Sequence, residues 1–374
     1  MEYVKLDDIA DITMGQSPKS DSYNKEQKGL PFFQGNADFG KINPKVRVWC
    51  SKPKKIAQPG DVLISVRAPI GAVNITKVKS AIGRGLAAIS IEDGIDREYI
   101  YRLLKSKKDE LNKLGTGSTF KAINKQIIKG IKVPVISKDL KNLRVNQLNQ
   151  VEKSIELKRS ELLKLDELIK ARFVEMFGDP QDSKYKWKKS TIEKCCTLKS
   201  GKTLPRNIEN EGGNIPYVKV KDMNSLENTT YITTSTRFVS DKTANKSIFP
   251  VGTVIFPKRG GAIGTNKKRL TKVPICADLN IMGVIPDNSR ISSYYLFEYF
   301  NMVDLNTLNN GSSVPQINNK DINPLNINIP PLSLQNEFAN FVQQVDKSKF
   351  ENIVYLNKTL SSKILSQLGD AIRD

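Results

Sequence analysis

The chain has 374 residues, enough for two or three domains, and its 59 Lys and Arg against 39 Asp and Glu give a formal net charge of +20. This excess predicts binding to a polyanion, with nucleic acid preferred over a membrane surface, since no apolar stretch approaches the roughly 20 residues of a spanning helix. Histidine is absent, which excludes Ser-His-Asp, Cys-His and His-metal enzymes.

The amino-terminal sequence MEYVKLDDIADI lacks the basic segment and apolar core of a secretory signal, so we expect a cytoplasmic protein. In that reducing compartment, cysteines without metal-site spacing are expected to be small apolar residues. The cysteines are Cys50, Cys195, Cys196 and Cys276. We predict no metal, no cofactor and no catalytic residue.

The sequence contains an internal repeat, the feature that most constrains the fold. The segment IAQPGDVLISVRAPIG at 56–71 returns as IFPVGTVIFPKRGGAIG at 248–264. Farther along, GTGSTFKAINKQIIKGIKVPVI from Gly115 matches NGSSVPQINNKDINPLNINIPPL from Asn310. The offsets between the copies lie between 185 and 196 residues, as small loop insertions would produce.

Each copy mixes strand and helix patterns. Short runs rich in β-branched and aromatic residues, such as 62–66 and 254–256, predict strands joined by turns. The segments 98–114 and 292–308 carry apolar residues at helical spacing. We therefore predict two similar α/β (mixed α+β) modules, over residues 1–140 and 181–331.

A long helical pattern follows each module, over 141–180 and 332–374, and each helix could run roughly 35 residues, or about 50 Å. Either helix alone could equally pack on its own module. Two helices at equivalent positions favour an antiparallel coiled-coil spacer with a module at each end and a pseudo-two-fold axis. The predicted seam consists of Leu148, Val151, Ile155, Leu162, Leu165, Ile169, Met176, Phe338, Phe341, Val345, Ile353, Leu356, Leu360 and Ile364.

This order of features resembles the specificity subunits of type I restriction-modification systems, over essentially the whole chain. The resemblance is carried by Gly-Asp-Val-Leu at 60–63 with Gly71 following, by proline-containing strands at 30–33 and 215–218, by Phe-Gly-Asp-Pro at 177–180, and by IPPLSLQNEFANFV at 329–342. The start of the first long helix departs from the pattern, because VPVISKDLKNLRVNQL lacks the second proline and the Gln-Asn-Glu run.

The resemblance implies a non-catalytic subunit whose two modules are target-recognition domains, each reading one half of an asymmetric, split site in double-stranded DNA. It also implies partners: two methyltransferase subunits, and restriction-translocase subunits that join through them. Two alternatives stay open. One is a nucleic-acid-binding scaffold unrelated to restriction, and the other is an enzyme with an unrecognised site.

Near-matches to enzyme motifs are weak. The segment Ser200-Gly201-Lys202-Thr203 imitates the end of a phosphate-binding loop, but the earlier glycine of that motif is replaced by Cys196. Gly201 also matches Gly15 of the first copy, so a structural turn explains it better.

Residues that read DNA are expected in module loops, at polar or basic positions where the two copies differ. In the first module these are Gln34, Asn36, Arg67, Arg84 and Lys121. In the second they are Lys219, Lys221, Lys258, Arg259, Lys267, Lys268 and Gln316. Because these loops differ, the two half-sites should differ, and the helices should set the length of the unread spacer.

Overall fold

The computed structural model describes residues 2–117, 121–180, 187–245, 247–308, 311 and 314–355. These residues form two compact units that meet along the chain between Leu157 and Lys158. The first unit comprises the described residues up to Leu157, and the second comprises those of Lys158–Tyr355.

The first unit begins with short strands and ends in a long helix. Its strands are β1 (Tyr3–Lys5), β2 (Asp11–Met14), β3 (Tyr23–Asn24), β4 (Leu30–Phe33), β5 (Trp49–Cys50), β6 (Ile56–Ala57), β7 (Val62–Ser65), β8 (Val73–Ile75), β9 (Ser80–Ile82), β10 (Leu86–Ser90) and β11 (Lys132–Pro134). Its α-helices are α1 (Gly94–Ser106), α2 (Lys108–Lys113), α3 (Lys125–Lys129) and α4 (Lys138–Phe177), the last of which continues into the second unit. Short 3-10 helices span Leu6–Asp8, Ser20–Ser22 and Asn36–Asp38.

Two sheets build the core of the first unit. One has the order β2-β10-β7-β8 and is antiparallel, and the other has the order β3-β5-β4-β9-β6, in which β4 and β9 run parallel. Successive side chains of a strand point to opposite faces. Val62 and Ile64 of β7 accordingly pack with Leu104 of α1, whereas Leu63 packs with Phe33 of the second sheet. The β2-β10-β7-β8 sheet is therefore buried on both faces.

The second unit repeats this plan. Its strands are β12 (Lys188–Thr191), β13 (Cys196–Ser200), β14 (Ile215–Val218), β15 (Tyr231–Ile232), β16 (Phe238–Val239), β17 (Val254–Pro257), β18 (Arg269–Thr271), β19 (Cys276–Ala277), β20 (Ile281–Pro286) and β21 (Asn326–Ile329). Its α-helices are α5 (Ile192–Cys195), α6 (Asp241–Ala244), α7 (Ser293–Met302), α8 (Asn319–Ile322) and α9 (Leu332–Tyr355). Short 3-10 helices span Asp222–Asn224, Leu226–Asn228, Gly260–Thr265 and Leu305–Leu308.

The repeat predicted from the sequence is confirmed by the strand orders. The sheet β13-β20-β17-β18-β15 contains the counterpart of β2-β10-β7-β8, and β16-β14-β19 is the counterpart of the second sheet. In both units the turn that follows the first strand of the larger antiparallel sheet, β2 or β13, packs tightly. A Cβ atom added at Gly15 would lie 2.2 Å from a backbone oxygen, and one added at Gly201 would lie 2.0 Å from a backbone oxygen. Gly201 is thus a packing glycine, which explains the Ser200–Thr203 segment without a phosphate loop.

The helices differ in length from the sequence expectation. The predicted helix over 98–114 is divided into α1 and α2 at Lys107, and the one over 292–308 ends at Met302 and is followed by a 3-10 helix. Helix α4 starts at Lys138, three residues before the predicted start, and ends at Phe177 because Gly178 has a φ of 87°. In the part of the chain that the structure describes, no helix is both long and apolar enough to cross a bilayer.

In the second unit, α9 packs antiparallel to the second half of α4. Arg172 forms a salt bridge with Glu337 at 3.1 Å, and Lys349 forms one with Asp166 at 2.6 Å. The Lys158 ammonium donates a hydrogen bond to Asn352 at 2.8 Å. As the residue numbers fall along α4, those of their partners rise along α9, as an antiparallel pair requires. The predicted seam residues are distributed as follows: Ile169, Phe338 and Val345 are buried, Leu148, Val151, Ile155, Leu162, Leu165, Met176 and Phe341 are half-buried, Ile353 is 41% exposed, and Leu356, Leu360 and Ile364 lie outside the described residues.

The centre of this packing is an aromatic cluster, of which the heptad pattern predicted only Phe338. The ring of Phe173 lies 5.1 Å from that of Phe177, 5.2 Å from that of Tyr295 and 5.5 Å from that of Phe338. Both Phe173 and Phe177 are fully buried. Phe173 and Phe177 follow Ile169 at intervals of four residues. An α-helix has about 3.6 residues per turn, so its buried face rotates relative to a strict seven-residue repeat, and here that face rotates toward α7.

Candidate DNA interface

In the first unit, three segments converge at the end of β7. Arg67 forms an isolated antiparallel bridge with Ala122, and the Ile123 amide donates to the Val66 carbonyl at 3.0 Å. The Val66 amide donates to the Gly85 carbonyl at 2.9 Å. The exposed candidates carried by these segments are Arg67, Arg84 and Lys121.

The loop after β4 adjoins the same segments, because the Gly83 amide donates to the Phe33 carbonyl at 2.8 Å. This loop holds exposed Gln34 and half-buried Asn36. Its shape is fixed by Asp38, whose carboxylate accepts from the Gln34 amide at 2.7 Å and pairs with Arg47 at 2.7 Å. The first unit thus gathers all five predicted residues at one edge of its sheets.

The second unit builds the same frame, with an arginine at the matching position and a different residue opposite it. Arg259 forms an isolated antiparallel bridge with Gln316, the Ile317 amide donates to the Lys258 carbonyl at 2.9 Å, and the Lys258 amide donates to the Asn280 carbonyl at 2.8 Å. These bonds correspond to those at Arg67, Ile123 and Val66. The loop that carries Lys219 is again fixed by a carboxylate, since the Lys219 backbone amide donates to the Asp222 carboxylate at 2.8 Å.

Acidic neighbours shape the charge of this edge. The Lys219 ammonium pairs with Glu209 and lies 5.7 Å from the Tyr217 ring. The hydrogen bond from Lys219 lowers the pKa of Glu209, which therefore remains a carboxylate. Lys219 must exchange this partner before it can bind a phosphate. Arg259 and Lys221 are exposed, whereas Gln316 is half-buried and donates to Asn318 at 2.7 Å.

Lys268, one of the residues predicted to contact DNA, is buried in the second unit. Its side chain is 4% exposed, and its ammonium donates to Asn266 at 2.8 Å and to the Val303 carbonyl at 2.6 Å. Burial lowers the pKa of Lys268 to about 8. Because Val303 directly follows the last residue of α7, this lysine satisfies a carbonyl at the carboxyl end of the helix. It is an internal residue and cannot reach DNA without giving up these bonds.

Lys258 is also internal. It is 9% exposed, and its ammonium donates to the Ser200 hydroxyl at 2.7 Å. Burial and the neighbouring Arg259 lower its pKa. The equivalent residue of the first unit is Val66, which is buried in the core. The predicted DNA contact at Lys258 would therefore require its ammonium to leave Ser200, whereas its backbone already holds the Arg259 segment.

Lys267 contacts the loop that carries Lys221. Its ammonium donates to Asn224, in the 3-10 helix that directly follows Lys221. Lys221 and Lys267 therefore adjoin the same loop.

Two exposed residues beside the frame were missed by the sequence analysis. The Gln16 amide donates to the Ile82 carbonyl at 3.0 Å, and the Lys202 amide donates to the Ala277 carbonyl at 2.8 Å. Each follows the tightly packed glycine described above, so each is presented at the same edge of its unit. The repeat itself was the signal, because the two residues differ at matching positions.

Among the residues that the structure describes, no group of three or more His, Cys, Asp or Glu side chains could hold a metal ion. The four cysteines are free thiols, with Cys196 half-buried and the others buried. The polar groups at the edge are suited to hydrogen bonding and phosphate binding.

Comparison with known proteins gives a consistent assignment. The type I restriction modification DNA specificity domain matches residues 1–167 and again residues 184–361. The putative type I restriction enzyme MjaX specificity subunit of Methanocaldococcus jannaschii is 44% identical over 151 residues, which are 40% of this chain and 36% of that protein. This chain therefore matches about a third of that relative's length.

Two further relatives match nearly the whole chain. The type I restriction enzyme MjaIX specificity subunit of Methanocaldococcus jannaschii is 24% identical over 402 residues, covering 98% of this chain and 90% of that protein. The crystal structure of the type I restriction-modification system S subunit from M. genitalium covers 98% of this chain and 94% of its own, with a TM-score of 0.56 and 17% identity. That likeness shows a shared fold. Because the specificity domain matches most of the sequence in two consecutive copies, this chain belongs to the family of type I restriction-modification specificity subunits.

Proposed function

We propose that this chain is a non-catalytic DNA-recognition subunit whose two units each read one half of a split, asymmetric site. The observation that carries the proposal is the repeated backbone frame with different side chains. Arg67 faces Ala122 across the frame in the first unit, and Arg259 faces Gln316 in the second, so the arginine is shared and the residue opposite it differs. Lys121 directly precedes Ala122. One frame with two sets of side chains suits two different half-sites.

The side chains also suggest what is read. Arginine matches the two major-groove acceptors of guanine, and glutamine matches the acceptor and donor of adenine. We assign Arg259 and Gln316 to such contacts in the second half-site, and Arg67 and Arg84 to contacts with guanine in the first. Lys121, Lys221 and Lys267 serve phosphates, which position the protein but carry no sequence information. The net charge of +20 then gives a steep salt dependence.

Partners supply the chemistry in this proposal. Specificity subunits of type I systems assemble with methyltransferase and restriction subunits and bind DNA. We propose that two methyltransferase subunits dock on α4 and α9 in the cytoplasm and that restriction-translocase subunits join through them. Exposed leucines on α4 support a docking role for this helix, since Leu157 is 61% exposed and Leu163 is 65% exposed.

Two experiments test the proposal. The chain should co-purify with a methyltransferase subunit from native extract, and sequencing of methylated sites in the native genome should reveal a split motif. Recovery of the chain always alone, with no split motif, would favour the alternative of a scaffold unrelated to restriction.

Exchange of modules tests independent reading. If residues 1 to about 140 are replaced by the module of another family member, one half-site should change and the other should persist. A chimera that folds and binds its partners but changes both halves together would contradict independent reading.

A further inference from the structure

Helices α1 and α7 occupy equivalent places and share a burial pattern. Each follows the strand at the same place in its central sheet, β10 or β20, and each contains six consecutive buried residues, 99–104 and 295–300. The sequences are Tyr-Ile-Tyr-Arg-Leu-Leu and Tyr-Leu-Phe-Glu-Tyr-Phe. The fourth position is charged in both, and it is Arg102 in the first run and Glu298 in the second, each 8% exposed. The same buried position therefore carries opposite charges.

In the first unit, Arg102 packs on an acidic part of α4. Its guanidinium lies 2.9 Å from Glu98 and 3.3 Å from Glu152 of α4, and it also donates to Asn149. Lys105 lies 2.9 Å from the other oxygen of Glu152. Burial raises the pKa of Glu152, but the bonds and charges of Lys105 and Arg102 lower it more. Glu152 is therefore an ionised acceptor for α1.

In the second unit, Glu298 packs beside lysines. It lines a cavity of about 350 Å³ whose walls include Lys170 of α4 and Lys349 of α9, and it accepts a hydrogen bond from Asn301 at 3.0 Å. Lys349 lies 2.6 Å from Asp166 and also pairs with an acidic residue of α9. Burial and the charge of Asp166 raise the pKa of Glu298, while Asn301 and the two lysines oppose that rise. Lys170 and Lys349 bring positive charge to the joint with α7, on a surface that also carries the carboxylates of Asp166, Glu167 and Asp346.

We propose that the opposite charges of Arg102 and Glu298 determine which helix surface each module can pack on. Helix α1 fits the surface of α4 that contains Glu152, and α7 fits the surface formed by Lys170 and Lys349. Two similar modules and two similar helices could otherwise pair wrongly, within one chain or between copies. Pairing α7 with the surface that contains Glu152 would bury Glu298 against a like charge, which is strongly unfavourable. Arg102 and Glu298 are positioning residues, and this role does not depend on DNA binding.

Charge reversal in the full chain tests the proposal. Arg102→Glu and Glu298→Arg should each lower the thermal midpoint by roughly 6 °C or more. Glu152→Lys should restore at least half of the loss in the first variant, and Lys170→Glu should do so in the second. Lys170 is chosen because its replacement leaves the bonds of Lys349 in place. The mismatched combinations, Arg102→Glu with Lys170→Glu and Glu298→Arg with Glu152→Lys, should restore nothing.

A milder set keeps the test decisive if a reversed charge prevents folding. Arg102→Gln and Glu298→Gln are each combined with Glu152→Gln and with Lys170→Gln, and hydrogen exchange is followed in α1 and α7. In matched pairs, the effect of the two substitutions on the equilibrium constant for local opening should differ from the product of the single effects by about twofold or more. In mismatched pairs, the two effects on the free energy of opening should be additive. Equal coupling in both sets, or rescue by the mismatched charge, would overturn the proposal. Because no DNA is present, this outcome is independent of the recognition function.

Discussion

Arg259 is held opposite Gln316 by an antiparallel backbone bridge, and the neighbouring Gly260 amide donates to the Pro315 carbonyl at 2.8 Å. The two side chains most suited to reading bases in the second unit are therefore placed by main-chain atoms of adjoining segments. Replacing either side chain leaves these bonds available.

We predict that Arg259→Ala and Gln316→Ala relax the second half-site only. Each loss of a paired base contact should weaken binding to the preferred sequence by roughly 5- to 150-fold, while other sequences bind nearly as before. Competition binding with DNA altered in one half-site at a time measures this. Lys347→Ala, an exposed lysine on α9, serves as the control and should leave the preference unchanged. A uniform loss across all sequences would assign the two residues to phosphates instead.

Lys268 should make stability depend on pH in the alkaline range. Burial lowers its pKa from 10.5 to about 8 in the folded chain. Between these pH values the unfolded chain binds the proton and the folded chain does not, so the free energy of unfolding of the second unit should rise with pH, by at most about 3 kcal/mol. Denaturant unfolding at several pH values measures the slope.

Lys268→Met should flatten this slope, whereas Lys267→Met should preserve it. The same pair separates the two lysines in DNA binding: Lys267→Met should reduce the salt dependence of binding by about one ion, and Lys268→Met should not. A reduced salt dependence in Lys268→Met, with folding intact, would return this residue to the DNA contacts.

Phe173→Ala should strongly destabilise the second unit. The side chain is fully buried among Phe177, Tyr295 and Phe338, so its loss should cost about 3–5 kcal/mol of unfolding free energy. Leu168→Ala, on the same helix but 47% exposed, should change that free energy by less than about 0.5 kcal/mol. Equal effects of the two variants in denaturant unfolding would show that the aromatic cluster is not the centre of this packing.

An insertion in α4 should change the unread spacer of the DNA site. Four residues near Glu161 would lengthen the helix by about 6 Å and rotate its halves by about 40°. Insertion between Leu157 and Lys158 is better, because it leaves the α4 segment around Glu161 uninterrupted. Glu161 accepts a hydrogen bond from Asn352 of α9 at 3.1 Å, which an insertion beside it would disturb. We expect sequencing of methylated sites to show a new spacer length with both half-sites unchanged. The original spacer in such a variant would show that α4 does not determine it.

The sequence allowed the repeat to be predicted because its copies share glycine and proline positions, and these fix the backbone whatever the loops contain. It could not reveal that Lys268 is buried. A lysine in a loop that differs between the two copies looks the same in the sequence whether its side chain points to solvent or to the end of a helix. Phe173 was missed for a related reason. The heptad rule describes one helix against another, whereas Phe173 packs against a module helix as well.

The frame around Arg67 and Arg259 also bears on how new specificities arise. Main-chain amides and carbonyls make its bonds, and every residue other than proline supplies both groups. Mutation can therefore replace the side chains at this edge one at a time without rebuilding the loops that carry them. If each unit reads one half-site as proposed, a lineage could acquire a new recognition sequence in one half without altering the bonds that hold the other.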